Sequence, residues 1–203
     1  MHFTWLGTTA IKIQTKHAGK DVVVVIDPYR PAHGSFPRSL APDIALFTRG
    51  EKGSITLSGD PFILSAPGEC ETKGVLVTAA AGREPGTIVV RIDAEGISVG
   101  HLGLIGQTPP NQALDVLSGV DVLCLPVGAK DALTPEGAMK VVSIIEPRII
   151  IPTAFRSDND PQAGTEQMFL KEIGCSLKPE KKIILKKKEL PQEETTVALL
   201  YKE

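Results

Sequence analysis

Two hydrophobic patterns divide the chain. Up to residue 101, short apolar runs broken by glycine and proline predict strands at 2–6, 10–14, 22–26, 44–48, 62–64, 75–78, 88–92 and 97–101. Val22-Val23-Val24-Val25-Ile26 lacks polar alternation, which predicts a strand covered on both faces. It stops at Asp27-Pro28, a turn signal, and Asp93-Ala94-Glu95-Gly96 predicts a hairpin connection. After residue 110, helix and strand alternate. Helices are expected at 111–117, from Thr134-Pro135-Glu136 onward, and at 162–173; strands are expected at 122–125, 148–151, 183–185 and 196–200. The middle helix has Thr as N-cap, Pro at its first position and an early carboxylate. Ala138, Val141, Val142 and Ile145 form its apolar stripe, and Pro147 closes it. Strands first and βαβα afterwards imply sheets with helices packed outside.

Composition narrows the class. The chain is 42% hydrophobic and 23% charged over 203 residues, enough for one domain spanning 1–203 with a substantial core. A net charge of −2 offers no general field for nucleic acid or anionic lipid. No apolar run reaches the length of a membrane span and no leader pattern stands at Met1, so a cytoplasmic protein is expected. Cys70, Cys124 and Cys175 are widely spaced with no CxxC pair, which argues for free thiols. Cys124 lies in an apolar run and reads as core; Cys70, expected in a loop, is the one thiol to consider as a nucleophile. Lysines 178, 181, 182 and 186–188 alternate with apolar residues and precede acidic ones, as on a solvated edge strand.

Several segments, in order, carry a resemblance. Thr4-Trp5-Leu6-Gly7 matches "TWLG", Val25-Ile26-Asp27-Pro28 matches "LIDP", and Ala66-Pro67-Gly68-Glu69-Cys70-Glu71 is similar to "PGEYE". His101-Leu102-Gly103-Leu104 matches "HLGD", Leu125-Pro126-Val127-Gly128 matches "LPVGG", and Ile151-Pro152-Thr153-Ala154-Phe155 matches "IPMHY". Together these resemble the small bacterial metallo-β-lactamase-fold hydrolases similar to ascorbate-6-phosphate lactonase, over roughly residues 1–175. The resemblance implies a four-layer αββα sandwich with metals held between the sheet edges.

The departures fall on the metal ligands. Where the family carries Thr-His-x-His-x-Asp-His, this chain keeps Thr48 and then has Arg49, Glu51, Gly53 and Ser54 at the ligand positions. The bridging Asp of "HLGD" is Leu104, and the last His of "IPMHY" is Ala154. The remaining ligand would be a His between residues 71 and 100, where there is none. A guanidinium, a glycine, a hydroxyl and two alkyl groups cannot rebuild a site of imidazoles and carboxylates, so no metal cofactor is expected.

Other chemistry-bearing residues remain. Cys70, Glu69, Glu71, His101 and Asp27 are the weak candidates for a rebuilt catalytic site. Against that, Asp27 reads as a backbone brace, His101 as a hydrogen-bonded histidine under a loop, and the two glutamates as solvated or paired. Arg49 is expected to join Glu51, with Glu69 or Glu71, in a polar cluster filling the vacated site. Three functions stay open: a non-hydrolytic binding or interaction module, alone, as a homo-oligomer or beside an active paralogue; an enzyme with a rebuilt site; and an ordinary zinc hydrolase with ligands elsewhere. Neither nucleic acid nor membrane is an expected partner.

Overall fold

A computed structural model describes residues 1–203. The first sheet is built from β1 (His2–Gly7), β2 (Ala10–His17), β3 (Lys20–Ile26), β4 (Ile44–Leu46), β5 (Phe62–Leu64) and β12 (Ile183–Ile184), in the order β12-β1-β2-β3-β4-β5. The second contains β6 (Gly68–Thr72), β7 (Val75–Ala81), β8 (Ile88–Ala94), β9 (Ile97–His101), β10 (Val122–Pro126), β11 (Ile149–Thr153) and β13 (Thr196–Val197), in the order β13-β11-β10-β9-β8-β7-β6. Both are mixed. β3-β4-β5 and β9-β10-β11-β13 run parallel; hairpins join the rest antiparallel, except that β12 pairs antiparallel with β1 from the far end of the chain.

Strand alternation explains how the sheets meet. Trp5, Ile11, Ile13, Val24 and Ile26 of the first sheet and Val77, Val90, Ile92 and Val99 of the second belong to one core of 46 buried residues. The opposite face of the first sheet carries a smaller cluster of Leu6, Ala10, Val25 and Leu40, covered by Phe36, Ile55 and Leu57 from connecting segments. Outside the second sheet lie α1 (Asn111–Leu117), packed on β7 and β8, and α2 (Pro135–Ile145) beside it; α3 (Gln167–Glu172) packs on α2. The sandwich of two mixed sheets is the expected architecture. Thr134 caps α2 by accepting from the Gly137 N–H, and Glu146, in the left-handed region, ends it before Pro147.

Three expectations need correction. The helix expected over 162–173 is confined to Gln167–Glu172, because Gly164 donates to the Gly128 carbonyl and accepts from the Arg156 N–H, which pins residues 160–164 as a turn. The strand expected at 196–200 is confined to Thr196–Val197, where β13 meets β11, and Leu200 makes an isolated bridge with Glu180. Gly68–Thr72, expected to be a loop, is the edge strand β6, paired with β7 from Gly68 opposite Ala79 to Thr72 opposite Val75. No helix is long and apolar enough to cross a membrane.

Candidate functional site

The C-terminal ends of β3, β4, β9 and β11 open onto one edge of the sandwich. In sheets with parallel strands, this end is where ligands characteristically bind. Beneath that edge lies a buried polar brace. Asp27, directly after β3, is fully buried and adopts φ 52°, a left-handed conformation that Asp tolerates better than most residues. Its carboxylate accepts from the Thr48 backbone N–H at 2.7 Å, from the Thr48 hydroxyl at 2.9 and 2.7 Å, and from the Thr9 hydroxyl at 2.7 Å. The turns after β1, β3 and β4 are thereby tied to one carboxylate.

His101, at the end of β9, extends the brace to the second sheet. Its Nδ1 accepts from the Gly103 N–H at 3.0 Å, so Nε2 carries the proton and donates to the Thr9 carbonyl at 2.8 Å. Burial pushes its pKa down, against the pull of Asp27 and the Thr9 carbonyl, which favours the neutral ring. Two backbone bonds also join the sheets here. Ala154 N–H donates to the Thr8 carbonyl at 2.7 Å, and Ile88 N–H donates to the Thr48 carbonyl at 2.9 Å. With both imidazole nitrogens and both Asp27 oxygens engaged, neither residue presents a free atom for chemistry or metal ligation.

The rim above the brace is different. Residues 49–54 are pinned by segment 28–30: Arg30 N–H donates to the Gly53 carbonyl at 2.8 Å, Ile55 N–H to the Pro28 carbonyl at 2.9 Å, and Ser54 pairs with Tyr29. Tyr29 donates its hydroxyl to the Gly50 carbonyl and accepts from the Arg49 N–H. Burial, helped by Asp27, raises the phenol to about 12, so it stays protonated. The expected cluster of Arg49 with Glu51, Glu69 or Glu71 does not form. Arg49 is exposed and its guanidinium stacks over the Tyr29 ring, 4.8 Å from the centroid. Glu51 instead accepts from the Ser65 hydroxyl at 3.0 Å. The planar cation has taken the nearest aromatic face, and the carboxylate the nearest hydroxyl.

The remaining candidates are dispersed. Glu69, Cys70 and Glu71 alternate along edge strand β6, so the two glutamates face away from Cys70 and do not sit in a pocket loop. Glu69 accepts a bond from Thr78, and burial together with Glu69 raises the Cys70 thiol pKa, leaving it a poor nucleophile. His17 and His33 are exposed and His2 half-buried. Lys187 of the lysine-rich segment pairs with Asp121 at 2.9 Å, and Lys186 with Glu189.

One cavity of about 630 Å³ lies at this edge, lined by Arg49, Leu104, Arg83, Lys130, Glu84 and Asp131, with neighbouring residues of the same loops. Arg83 and Lys130 escape sequence reading because they come from separate loops with no fixed spacing. Tyr29, two residues beyond the buried carboxylate in Asp27-Pro28-Tyr29, carried a faint signal as an aromatic beside a strand-ending turn.

The donor set does not fit a metal. Glu51 is an exposed carboxylate without a ligating neighbour, Ala154 is buried and inert, and no three His, Cys, Asp or Glu side chains converge as a metal site would require.

Sequence comparison places this geometry among relatives. The chain is 25% identical over 208 residues to a UPF0173 metal-dependent hydrolase of Methanopyrus kandleri, covering 80% of this chain and 89% of that protein. It is 25% identical over 203 residues to one of Methanosarcina mazei, covering 77% and 84%. Its fold superposes with a TM-score of 0.81, at 23% identity, on a candidate Zn-dependent hydrolase of the metallo-β-lactamase superfamily from Thermotoga maritima, covering 99% of this chain and 100% of that one. A metallo hydrolase from Ignicoccus hospitalis superposes with a TM-score of 0.64 at 13% identity, covering 91% and 99%. The family model of the β-lactamase superfamily domain matches residues 2–154, the span that holds both sheets' central strands, the brace and the rim, and the chain belongs to that family.

Proposed function

We propose that this chain is a degenerate, metal-free member of its family, acting as a non-hydrolytic binding or interaction module. The observation that carries this reading is the donor chemistry of the rim. Arg49, Glu51, Gly53, Ser54, Leu104 and Ala154 stand at the positions matched to the ligands, and only Glu51 among them carries an imidazole, thiolate or carboxylate. Activation of water at neutral pH by this fold's chemistry needs a metal-bound oxygen nucleophile. The buried brace would hold the site's edge in place without it.

A second reading is favoured by the relatives, which are named metal-dependent hydrolases. On that reading the chain is a metal-dependent hydrolase, of lactonase or phosphodiesterase type, with a rebuilt active site. One experiment separates the two. Protein purified without chelator is assayed for bound zinc, iron and manganese, and for turnover of lactone, phosphodiester and β-lactam substrates. Substoichiometric metal and no chelator-sensitive turnover are expected. A stoichiometric metal with chelator-sensitive turnover would establish the second reading.

A further inference from the structure

The cavity at the rim has an unusual charge arrangement. Arg49, Arg83 and Lys130 reach it from the loops after β4, between β7 and β8, and between β10 and α2. Glu84 and Asp131 line the same space, leaving one net positive charge. None of the three cations takes part in an ion pair, although two carboxylates are at hand. Two of them are already positioned. Arg49 is stacked on Tyr29 through the face of its guanidinium and makes no ion pair, so donors at its edge are open to a ligand. Arg83 donates Nε and Nη2 to the Thr108 carbonyl at 3.2 and 2.9 Å, which fixes its plane and leaves Nη1 unused. Three cations that line one space with no carboxylate bonded to them favour a bound anion there.

The remaining lining describes the rest of the ligand. Leu104, Ile105 and Ala132 supply an apolar wall, and about 630 Å³ lies within the range of small-molecule sites. A guanidinium fork matches the oxygens of phosphate, and a dianion engages more than one cation where a monocarboxylate needs one. Resting on the non-hydrolytic reading above, we infer that this cavity binds a phosphate monoester of a small, partly apolar molecule, with Arg49, Arg83 and Lys130 on the phosphate and Leu104 and Ile105 on the organic part.

Calorimetric titration with phenyl phosphate, in the presence of EDTA so that no metal contributes, tests the site. Saturable one-to-one binding is expected, tighter than for inorganic phosphate. The Arg49→Ala/Lys130→Ala double variant should weaken it about tenfold or more, while Lys20→Ala on the distant β2–β3 hairpin leaves it unchanged. Arg49 and Lys130 are exposed and unpaired, so the variant is expected to fold, and its melting curve checks that directly. No saturable binding by the folded protein, or equal affinity in the folded double variant, overturns the proposal. A parallel sample without EDTA is followed for release of phosphate from phenyl phosphate. Chelator-sensitive release would refute the non-hydrolytic reading while leaving the anion site standing, whereas absence of binding refutes the anion site alone.

Discussion

The brace and the rim occupy the same edge of the sandwich and rest on opposite physical footings. In the brace, Asp27, Thr9, Thr48 and His101 are buried, and each polar atom described above has a partner. A change at any of them strands the others in a low-dielectric interior. On the rim, Arg49 and Glu51 are exposed and make single contacts with Tyr29 and Ser65. A change there costs little. The difference shows that the geometry of this edge and the chemistry it presents are held by different residues, so one can change without the other.

The brace predicts the largest effect. Asp27→Ala would leave the Thr48 N–H and two hydroxyls without their acceptor and place Ala at φ 52°. A loss of about 3–5 kcal/mol in urea denaturation is expected. Asp27→Asn, which tolerates that backbone conformation and keeps one acceptor oxygen, should lose distinctly less. Equal stability of Asp27→Ala and the wild type would erase the distinction between brace and rim.

Gly103→Ala comes next. Gly103 has φ +67°, and a Cβ there would lie 2.5 Å from the Thr48 hydroxyl oxygen that bonds Asp27. Backbone strain and displacement of that hydroxyl together should cost about 1–3 kcal/mol. A neutral result would mean that the loop after β9 moves freely above the brace.

His101 gives the comparison a pH signature. The unfolded chain takes up a proton near pH 6.5, while the buried ring resists protonation to lower pH. The stability associated with this group is complete above about pH 6.5 and is lost as pH falls towards the folded-state value, by up to about 1.4 kcal/mol per pH unit. His101→Gln should flatten most of that slope between pH 6.5 and 5. His2 is shifted in the same direction but is partly exposed. The depressed carboxylates Asp43, Glu95, Asp121 and Asp158 contribute only as pH drops through lower values, near and below 4.5. Denaturation midpoints of wild type and variant across this range decide the point.

These contrasts also mark what could be read from the chain beforehand. Apolar runs such as Val22–Ile26 carry their burial in their composition, and the cap of α2 is a local signal, so both emerge from sequence. Edge strand β6 is hidden because Gly68, Glu69, Cys70, Glu71 and Thr72 read as a polar turn and become a strand only through pairing with β7. The overlong helix at 162–173 failed because a distant glycine, Gly128, captures Gly164. The residue types at 49, 51, 53, 54, 104 and 154 were legible in the chain itself. Where Arg49 would turn was not, since its neighbour Glu51 is close in sequence while the Tyr29 ring is close only in space. Arg83 and Lys130 were invisible for the same reason: three loops meet at that cavity, and no spacing along the chain encodes the meeting.

Arg49→Ala is expected to have the smallest effect and gives the sharpest test of the rim. The guanidinium is exposed, has no carboxylate within ion-pairing distance, and stacks on one aromatic ring. An exposed cation–π contact contributes about 0.5–1 kcal/mol, and the side chain regains rotamer freedom in the unfolded chain, so the net loss should fall below about 1 kcal/mol. Its backbone N–H bond to Tyr29 survives the substitution. Tyr29→Phe removes that acceptor and the hydroxyl donated to the Gly50 carbonyl while leaving the ring, and so should cost more than Arg49→Ala. If Arg49→Ala instead proved the more damaging of the two, the arginine would be holding the loop, and residues 49–54 would belong with the brace.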